Sequence, residues 1–376
     1  MNANASDGGN LAALIAQIAT GPKLSKDLSR EQARAGMSAV LHVSAHPVQA
    51  AIFLIALRMK RESDDENLGL LDALLACTER VTVDVPELLD VSDPYDGFTR
   101  ALPASAFLPA VLAACGVAAI SHGVDRMGPK FGLGQARVLH AAGVDVSLSP
   151  AQAASRVADP RAGWAYLDQS RYSPALYGLA GLRTLMVKRT ALATLERVLG
   201  PLRARGRTHL LVGYVHTAYP RIYALLARES GFASALIVRG GEGGVVPSLR
   251  QPGQAWALRE QPSQAPDGAG VAAAQPDLEH LLFAPGDAGI AQQQRAAPMP
   301  DAAGDGGEAA GEAHARACAE AGLAALSGQP GAVRDSLVYA GALCLRHLRR
   351  HADLARGAAQ LRTCLDDGSA LRHLCA

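Results

Sequence analysis

Apolar residues near the start of the chain recur at the spacing of an α-helix. The stripe within residues 11–18 places its apolar side chains on one helical face. Ser29 and Ser63 each stand three positions before a Gln or Glu, which is the capping-box pattern that opens a helix. Together with the apolar run at 50–57, these signals predict four short helices. We therefore expect a small all-helical domain over residues 1–80.

From residue 81 the pattern changes to short β-branched or apolar runs that alternate with helical stretches. This alternation predicts an α/β domain over residues 81–376, with a mostly parallel central sheet whose two faces are covered and with helices at the C-terminal end. A helix spanning about 174–200 is expected to pack with the helical domain. Buried strands are predicted at 88–91, 117–120, 210–215 and 235–238.

One stretch of the second domain is rich in Gln, Ala, Gly, Pro and Asp and has little periodicity. It extends over about 251–311, and we interpret it as a flexible low-complexity insertion. A short helix is predicted within it at 278–283.

Composition excludes few functional classes. Hydrophobic residues make up 49% and charged residues 19%, and the formal net charge is +1, so no global field favours nucleic acid or membrane. The six cysteines include no C-x-x-C pair, which favours reduced thiols over a zinc site or a disulfide framework. No export signal is recognisable, and the predicted location is the cytoplasm.

Candidate chemistry lies in the loops that follow predicted strands, because open α/β sheets bind ligands at the carboxyl ends of their strands. Residues 92–97 follow the first strand, and residues 121–123 follow the second, with Lys130 and Gly132 shortly after. Residues 239–244, Arg-Gly-Gly-Glu-Gly-Gly, follow the fourth. Successive glycines let backbone N–H groups approach a phosphate, although a lone glycine cluster is more often a flexible turn.

The order and spacing of these loops resemble the anthranilate phosphoribosyltransferases and the related pyrimidine nucleoside phosphorylases. The stretch at 28–60 is similar to the family's helical domain, that at 181–202 to its conserved-arginine helix, and that at 328–340 to its C-terminal helices. The resemblance implies acceptor-side roles for Arg183, Arg189, His216 and Glu242. It also implies a site for phosphate groups, such as those of phosphoribosyl pyrophosphate (PRPP), formed by Ser92, Asp96, Gly97, Ser121, His122, Gly123, Lys130, Gly132, Arg239 and Gly240.

The chain departs from the family pattern where the transfer reaction would occur. The pyrophosphate loop G-T-G-G-D-G is replaced by Ser-Asp-Pro-Tyr-Asp-Gly, and K-H-G by Ser-His-Gly. The Asp-Glu pair that holds magnesium in the family falls on Val245 and Val246, so Mg²⁺ is in doubt as a cofactor, since it requires oxygen ligands. A single ion bound through Asp93, Asp96 or Glu242 stays open. We therefore predict a transferase-like site for a phosphorylated pentose or a related anion, with turnover undecided.

Two alternatives remain open. The chain also resembles a divergent bacterial branch of the family that includes non-catalytic proteins binding nucleic acid without base preference. The other alternative is a scaffold or a dimeric partner. The family resemblance implies a homodimer that forms through the helical domain. The basic groups available for nucleic acid are Arg203, Arg205, Arg207, Arg346, Arg349 and Arg350. Capping or a solvated surface would equally explain these arginines, and aromatic residues for stacking are scarce.

Overall fold

A computed structural model describes residues 5–21, 23–42, 45–259, 278–299 and 308–376. Its N-terminal part is helical, as predicted. Both capping boxes form, because the Ser29 and Ser63 side chains each accept a hydrogen bond from the backbone N–H three residues on, and their own N–H groups donate to the side chain of that same residue. The four helices are α1 (Ala5–Ile18), α2 (Arg30–Leu41), α3 (Pro47–Lys60) and α4 (Asp64–Ala76).

A seven-stranded sheet, in the order β4-β3-β2-β6-β7-β8-β9, forms the centre of the remaining chain. Its first five strands are parallel, while β8 and β9 are antiparallel additions at one edge. The short strands β1 and β5 pair separately. The strands are β1 (Val81–Val83), β2 (Glu87–Ser92), β3 (Ala119–Gly123), β4 (Trp164–Asp168), β5 (Leu202–Ala204), β6 (Arg207–Tyr214), β7 (Ser234–Arg239), β8 (Gly253–Leu258) and β9 (Leu278–Phe283).

Helices connect the parallel strands and complete the C-terminal end, in agreement with the predicted fold class. Single turns of 3₁₀ helix occur at Ala104–Phe107, Glu196–Val198, Gly241–Gly243 and Pro285–Ala288. The α-helices are α5 (Leu108–Ala114), α6 (Gln135–Ala141), α7 (Pro150–Ala158), α8 (Gln169–Tyr172), α9 (Pro174–Tyr177), α10 (Ala180–Met186), α11 (Leu192–Leu195), α12 (Tyr219–Glu229), α13 (Glu308–Leu326), α14 (Ala332–His347), α15 (Leu354–Asp366) and α16 (Ser369–Cys375). None of the helices described has both the length and the apolar character needed to cross a bilayer.

The central strands supply two hydrophobic cores, one on each face of the sheet. In β2, Leu89 and Val91 join the core that contains the C-terminal helices, whereas Leu88 joins the core shared with the N-terminal helices. In β6, Leu211 faces the first core and Leu210 the second. Side chains of a strand alternate between faces, so uninterrupted apolar runs are required where both faces are covered.

Three predictions about the elements need correction. The predicted helix at 278–283 is wrong, since Leu278–Phe283 is a strand paired with β8. The insertion predicted over 251–311 is too wide, because it includes both β8 and β9, and its residues 260–277 and 300–307 lie outside the described residues. The predicted helix at about 174–200 is divided into α9, α10, α11 and a 3₁₀ turn, and its α10 segment contacts α3.

The parallel arrangement brings the ends of five strands to one side of the sheet. Ser92 pairs with Val212, Gly123 with Asp168, and Tyr214 with Arg239, so the loops that leave these strands begin side by side. We call this side of the sheet the carboxyl edge. The candidate ligand loops all lie there.

Candidate functional site at the carboxyl edge

The loops that follow β2 and β3 are in direct contact. Gly97 has a positive φ of 73°, and a Cβ at this position would lie 2.4 Å from the carbonyl oxygen of Gly132. Gly132 donates its N–H to the Asp96 carbonyl at 2.8 Å. Lys130 Nζ donates to the Gly97 carbonyl at 2.6 Å. Glycine at position 97 is therefore required by close approach as well as by backbone conformation.

The glycine loop, residues 239–244, closes over the same region. Glu242 reaches across to the place where these two loops meet, and Nζ of Lys130, in the loop after β3, lies 2.5 Å from its Oε2. The Glu242 carboxylate also accepts backbone hydrogen bonds from Thr99, Arg100 and Ala101. Burial alone would raise the pKa of Glu242, but hydrogen bonds from Lys130, Arg100 and Thr99 outweigh it and lower the pKa to about 2. This side chain is thus an anion at neutral pH.

A cavity of about 590 Å³ lies between the glycine loop and the residues that follow Gly97. Its wall includes two arginines, Arg239 and Arg295, and the small residues Ala101 and Gly241. Its size falls in the range typical of small-molecule sites. Arg239 and Gly240 therefore line an open space. Beside it, Asp96, Lys130 and Glu242 form contacts that join the neighbouring loops.

Tyr95 fills the space that glycines would leave open in the loop after β2. Its hydroxyl is hydrogen-bonded to His122 Nδ1 and to the Tyr172 hydroxyl, and it lies 3.3 Å from the Glu196 carbonyl. His122 Nε2 is in turn 2.8 Å from Asp90 Oδ1, so both ring nitrogens have buried partners. His122 consequently serves a network inside the protein and does not face the cavity.

The strand ends beside this network are closed as well. The Ser92 and Ser121 hydroxyls are buried without a hydrogen-bond partner among the described residues. Gly123 packs below Tyr166, whose hydroxyl would lie 3.2 Å from an added Cβ. These residues stand where the sequence placed them, at the carboxyl edge, but they are covered.

The carboxylates near the cavity already have partners. Asp93 accepts hydrogen bonds from Ser105 Oγ, from Gln135 Nε2 at 2.8 Å and from Val245 N at 3.0 Å. Asp96 is 2.6 Å from Arg189 Nε, and Glu242 is bound as described. Val245 is buried and Val246 half-buried, and neither offers an oxygen from its side chain. No cluster of three or more His, Cys, Asp or Glu residues suited to a metal ion occurs in the described part of the chain. Binding of Mg²⁺ stays a prediction.

The predicted acceptor-side residues do not form one wall. Arg183 is buried in a bidentate pair with Glu196, at 2.5 and 2.9 Å, which leaves it no open face. Arg189 is half-exposed beside Asp96. His216 is exposed after β6, with its ring 6.2 Å from that of Tyr219. Their roles toward an acceptor remain predictions.

Arg197 is a residue that sequence reasoning missed. It is buried and donates to the carbonyls of Ser92 at 2.6 Å, Gly213 at 2.9 Å and Gly243 at 3.1 Å. It therefore ties the ends of β2 and β6 to the glycine loop. No local motif marks this position, because its partners are distant in sequence.

The arginines proposed for nucleic acid lie at the opposite side of the sheet. Arg207 and Arg350 both contact Glu87 at the start of β2, and Arg205 is 3.2 Å from Asp84. Arg203 stacks over Phe232 at 4.5 Å and donates to the Gly231 carbonyl. Arg346 and Arg349 line a shallow depression with Arg259 and Glu279. Three of these six arginines, Arg205, Arg207 and Arg350, have acidic partners. Binding of nucleic acid remains a prediction.

Comparison with known proteins places this architecture among relatives. The helical bundle domain of the glycosyl transferase family matches residues 12–78. The anthranilate phosphoribosyltransferase of Acidithiobacillus ferrooxidans is 30% identical over 231 residues, covering 61% of this chain and 65% of the relative, just under two thirds of its length. That of Nitrobacter hamburgensis is 27% identical over 366 residues, covering 97% of each chain.

Solved structures share the fold at lower identity. Anthranilate phosphoribosyltransferase from Thermus thermophilus superposes with a TM-score of 0.71 at 22% identity, covering 97% of both chains. The Saccharomyces cerevisiae enzyme in complex with PRPP and Mg gives a TM-score of 0.74 at 17% identity, covering 98% of this chain and 96% of that one. These likenesses concern the fold.

Proposed function

We propose that this protein binds a phosphorylated pentose or a related anion at the carboxyl edge. The premise is that the chain belongs to the anthranilate phosphoribosyltransferase-like family of glycosyl transferases. The observation that carries the proposal is the cavity of about 590 Å³ between the glycine loop and the loop after β2, with Arg239 and Arg295 in its wall. Two exposed cations at a concave site raise the local concentration of an anionic ligand.

Transfer to anthranilate is not the activity that these residues favour. Departure of pyrophosphate requires stabilisation of developing charge, which metal ions and fixed cations supply in such reactions. Here the carboxylates that could hold Mg²⁺ are engaged with Arg189, Lys130 or backbone and side-chain donors. The buried pair with Glu196 also occupies Arg183, the residue that the family resemblance would place beside the acceptor. We therefore propose that the protein binds the phosphorylated ligand but transfers it to anthranilate poorly.

Location and assembly complete the proposal. We place the protein in the cytoplasm, where its free cysteines would stay reduced. We also propose a homodimer formed through an apolar groove between α3 and α10, with Ile52 and Leu185 exposed at 44% and 80%. Exposed apolar surface of this kind is commonly covered by a partner.

Isothermal titration calorimetry with PRPP, with and without Mg²⁺, tests the ligand. We expect saturable binding that Arg239→Gln and Arg295→Gln each weaken about tenfold, which corresponds to the loss of one charge-assisted contact. The control is Arg161→Gln, because Arg161 is exposed, pairs with Asp159 and precedes β4 on the opposite side of the sheet. Absence of heat with PRPP at millimolar concentration would refute the proposed ligand class.

A further inference from the structure

Glu242 behaves as a ligand bound by its own protein. Its Oε1 accepts hydrogen bonds from Arg100 N at 2.9 Å and Ala101 N at 3.1 Å, and its Oε2 from Thr99 N and Thr99 Oγ1, both at 3.1 Å. Lys130 Nζ lies 2.5 Å from the same Oε2. The Glu242 side chain is 5% exposed, so the carboxylate is enclosed by these donors.

The donors around Glu242 form a receptor for an oxyanion. Consecutive backbone N–H groups that point to one centre, with a lysine beside them, are the arrangement that binds phosphate groups in proteins. Lys130 is itself 16% exposed at its side chain, and its second contact, the Gly97 carbonyl, holds it in place. A phosphate would present more oxygens and more negative charge to these same donors than the carboxylate does.

The backbone that carries Glu242 is suited to release it. Glu242 has φ 54° and ψ 15°, the left-handed region that a residue with a side chain seldom adopts. The residue before it, Gly241, has no atom within 4 Å of an added Cβ, so this side of the turn faces open space. Ala101 and Gly241 both line the cavity. Displacement of the carboxylate would therefore expose the amide groups to the same space that receives the ligand.

We propose that the Thr99–Ala101 amides and Lys130 form a phosphate-binding site, which Glu242 occupies in the ligand-free protein and which a phosphate group takes when Glu242 is displaced. The inference rests on the proposed function, because it assigns one subsite of the same cavity. It also explains why the cavity would bind phosphorylated ligands weakly. Glu242 competes with the incoming anion, so every phosphorylated ligand binds less tightly than the site permits.

Titration of inorganic phosphate, pyrophosphate and ribose 5-phosphate into the full chain and into Glu242→Gly tests the proposal. Glycine accepts the positive φ, and Glu242→Gln is a second, isosteric variant that removes only the charge. We expect inorganic phosphate to bind Glu242→Gly at least about tenfold more tightly than the parent. The added substitution Lys130→Met should abolish that gain. Comparison of the three titrants shows whether the free ion or a sugar phosphate is preferred.

Glu87→Gln is the matched control, because Glu87 also neutralises basic side chains, Arg207 and Arg350, but at the opposite side of the sheet. Its phosphate affinity should stay within about twofold of the parent. In the parent, NMR signals of the Thr99, Arg100 and Ala101 amides should shift on addition of phosphate.

Equal affinity of Glu242→Gly and the parent, or an equal gain in Glu87→Gln, would overturn the inference. If the parent binds PRPP while Glu242→Gly gains no phosphate affinity, only this inference fails. If neither protein binds PRPP but Glu242→Gly binds phosphate, the proposed ligand class fails and the anion site stands.

Discussion

Arg183 donates two hydrogen bonds to Glu196, at 2.5 and 2.9 Å, and both side chains are buried. Burial works against the charge of Arg183, but attraction by Glu196 and the hydrogen bonds to it outweigh burial and raise the arginine's pKa. The pair lies beneath the Tyr95 network, since Tyr95 Oη is 3.3 Å from the Glu196 carbonyl. Arg183, which the family resemblance would place beside the acceptor, is thus engaged in a buried ion pair.

Removal of one member of this pair should strongly destabilise the fold. We expect Glu196→Gln to lower the free energy of unfolding by about 3 to 5 kcal/mol, because it leaves the buried Arg183 without a countercharge. Urea denaturation measures the change. Asp159→Asn is the control, since its pair with Arg161 is largely solvent-exposed and its loss should change stability little. Similar losses in the two variants would contradict the structural role of the Arg183–Glu196 pair.

The hydroxyl of Tyr95 should matter more than that of Tyr172. Tyr95→Phe deprives both His122 and Tyr172 of a buried partner and should cost about 1 to 3 kcal/mol. Tyr172→Phe leaves the bond between Tyr95 and His122 intact and should cost less. The double variant should lose less stability than the sum of the single variants, as measured by urea denaturation. Strict additivity would show that the two hydroxyls do not interact.

Two glycines separate backbone strain from crowding. Gly97 and Gly116 have φ values of 73° and 78°, but only Gly97 has neighbours at the Cβ position, whereas Gly116 has none within 4 Å. Gly116→Ala should cost about 1 to 2 kcal/mol from conformation alone. Gly97→Ala should cost about 1 to 3 kcal/mol more, because the loops after β2 and β3 must separate. Thermal and urea unfolding provide the comparison, and equal losses would disprove the close contact.

His347 should make the protein sensitive to mild acid. Burial, followed by the nearby Arg259, His209 and Arg349, lowers the pKa of His347 from 6.5 to about 3. The unfolded chain therefore takes up a proton at higher pH than the folded protein, so stability is full above pH 6.5 and declines as the pH falls toward 3. This residue alone should account for a loss of about 2 kcal/mol between pH 6.5 and about pH 5.

Urea denaturation at a series of pH values checks this dependence. The difference in unfolding free energy between the parent and His347→Gln should shrink as the pH falls. His216→Gln serves as the control, because His216 is exposed and its variant should track the parent. Parallel curves for the parent and His347→Gln would exclude the assignment.

The apolar groove provides a test of assembly. Ile52→Glu or Leu185→Glu should convert the proposed homodimer to a monomer, because each places a charge where two copies would meet. Sedimentation velocity reports the mass. Leu24→Glu is the control, since Leu24 is 68% exposed but does not line the groove. A monomeric parent would remove this part of the proposal.

Local patterns predicted the framework well where one signal dominated. The capping residues Ser29 and Ser63 begin helices, and the apolar runs at β2, β6 and β7 are strands buried on both faces. The run at 278–283 misled because six mainly apolar residues suit a helix or a strand equally, and pairing with β8 decides the outcome. The run at 174–200 breaks where Val187 adopts a left-handed conformation with φ 61°.

The sequence predicted where the candidate site lies but not how its side chains contact one another. Loops that follow parallel strands must meet at one edge, so the gathering of Gly97, Gly132 and the glycine loop follows from topology. The partners of Tyr95 and Arg197 do not, since the Tyr95–Tyr172 bond joins residues 77 positions apart and the Arg197–Ser92 bond residues 105 apart. Only three-dimensional packing selects such pairs.

Arg197 has a practical consequence for engineering this protein. The Arg197 guanidinium donates to the carbonyls of Ser92, Gly213 and Gly243. A change of backbone conformation in any one of these three segments would therefore disturb the other two. If a single glycine-rich segment were replaced by that of an active relative, its carbonyl would move and the hydrogen bond from Arg197 would be lost. Successful transplants would have to exchange the neighbouring segments as a set.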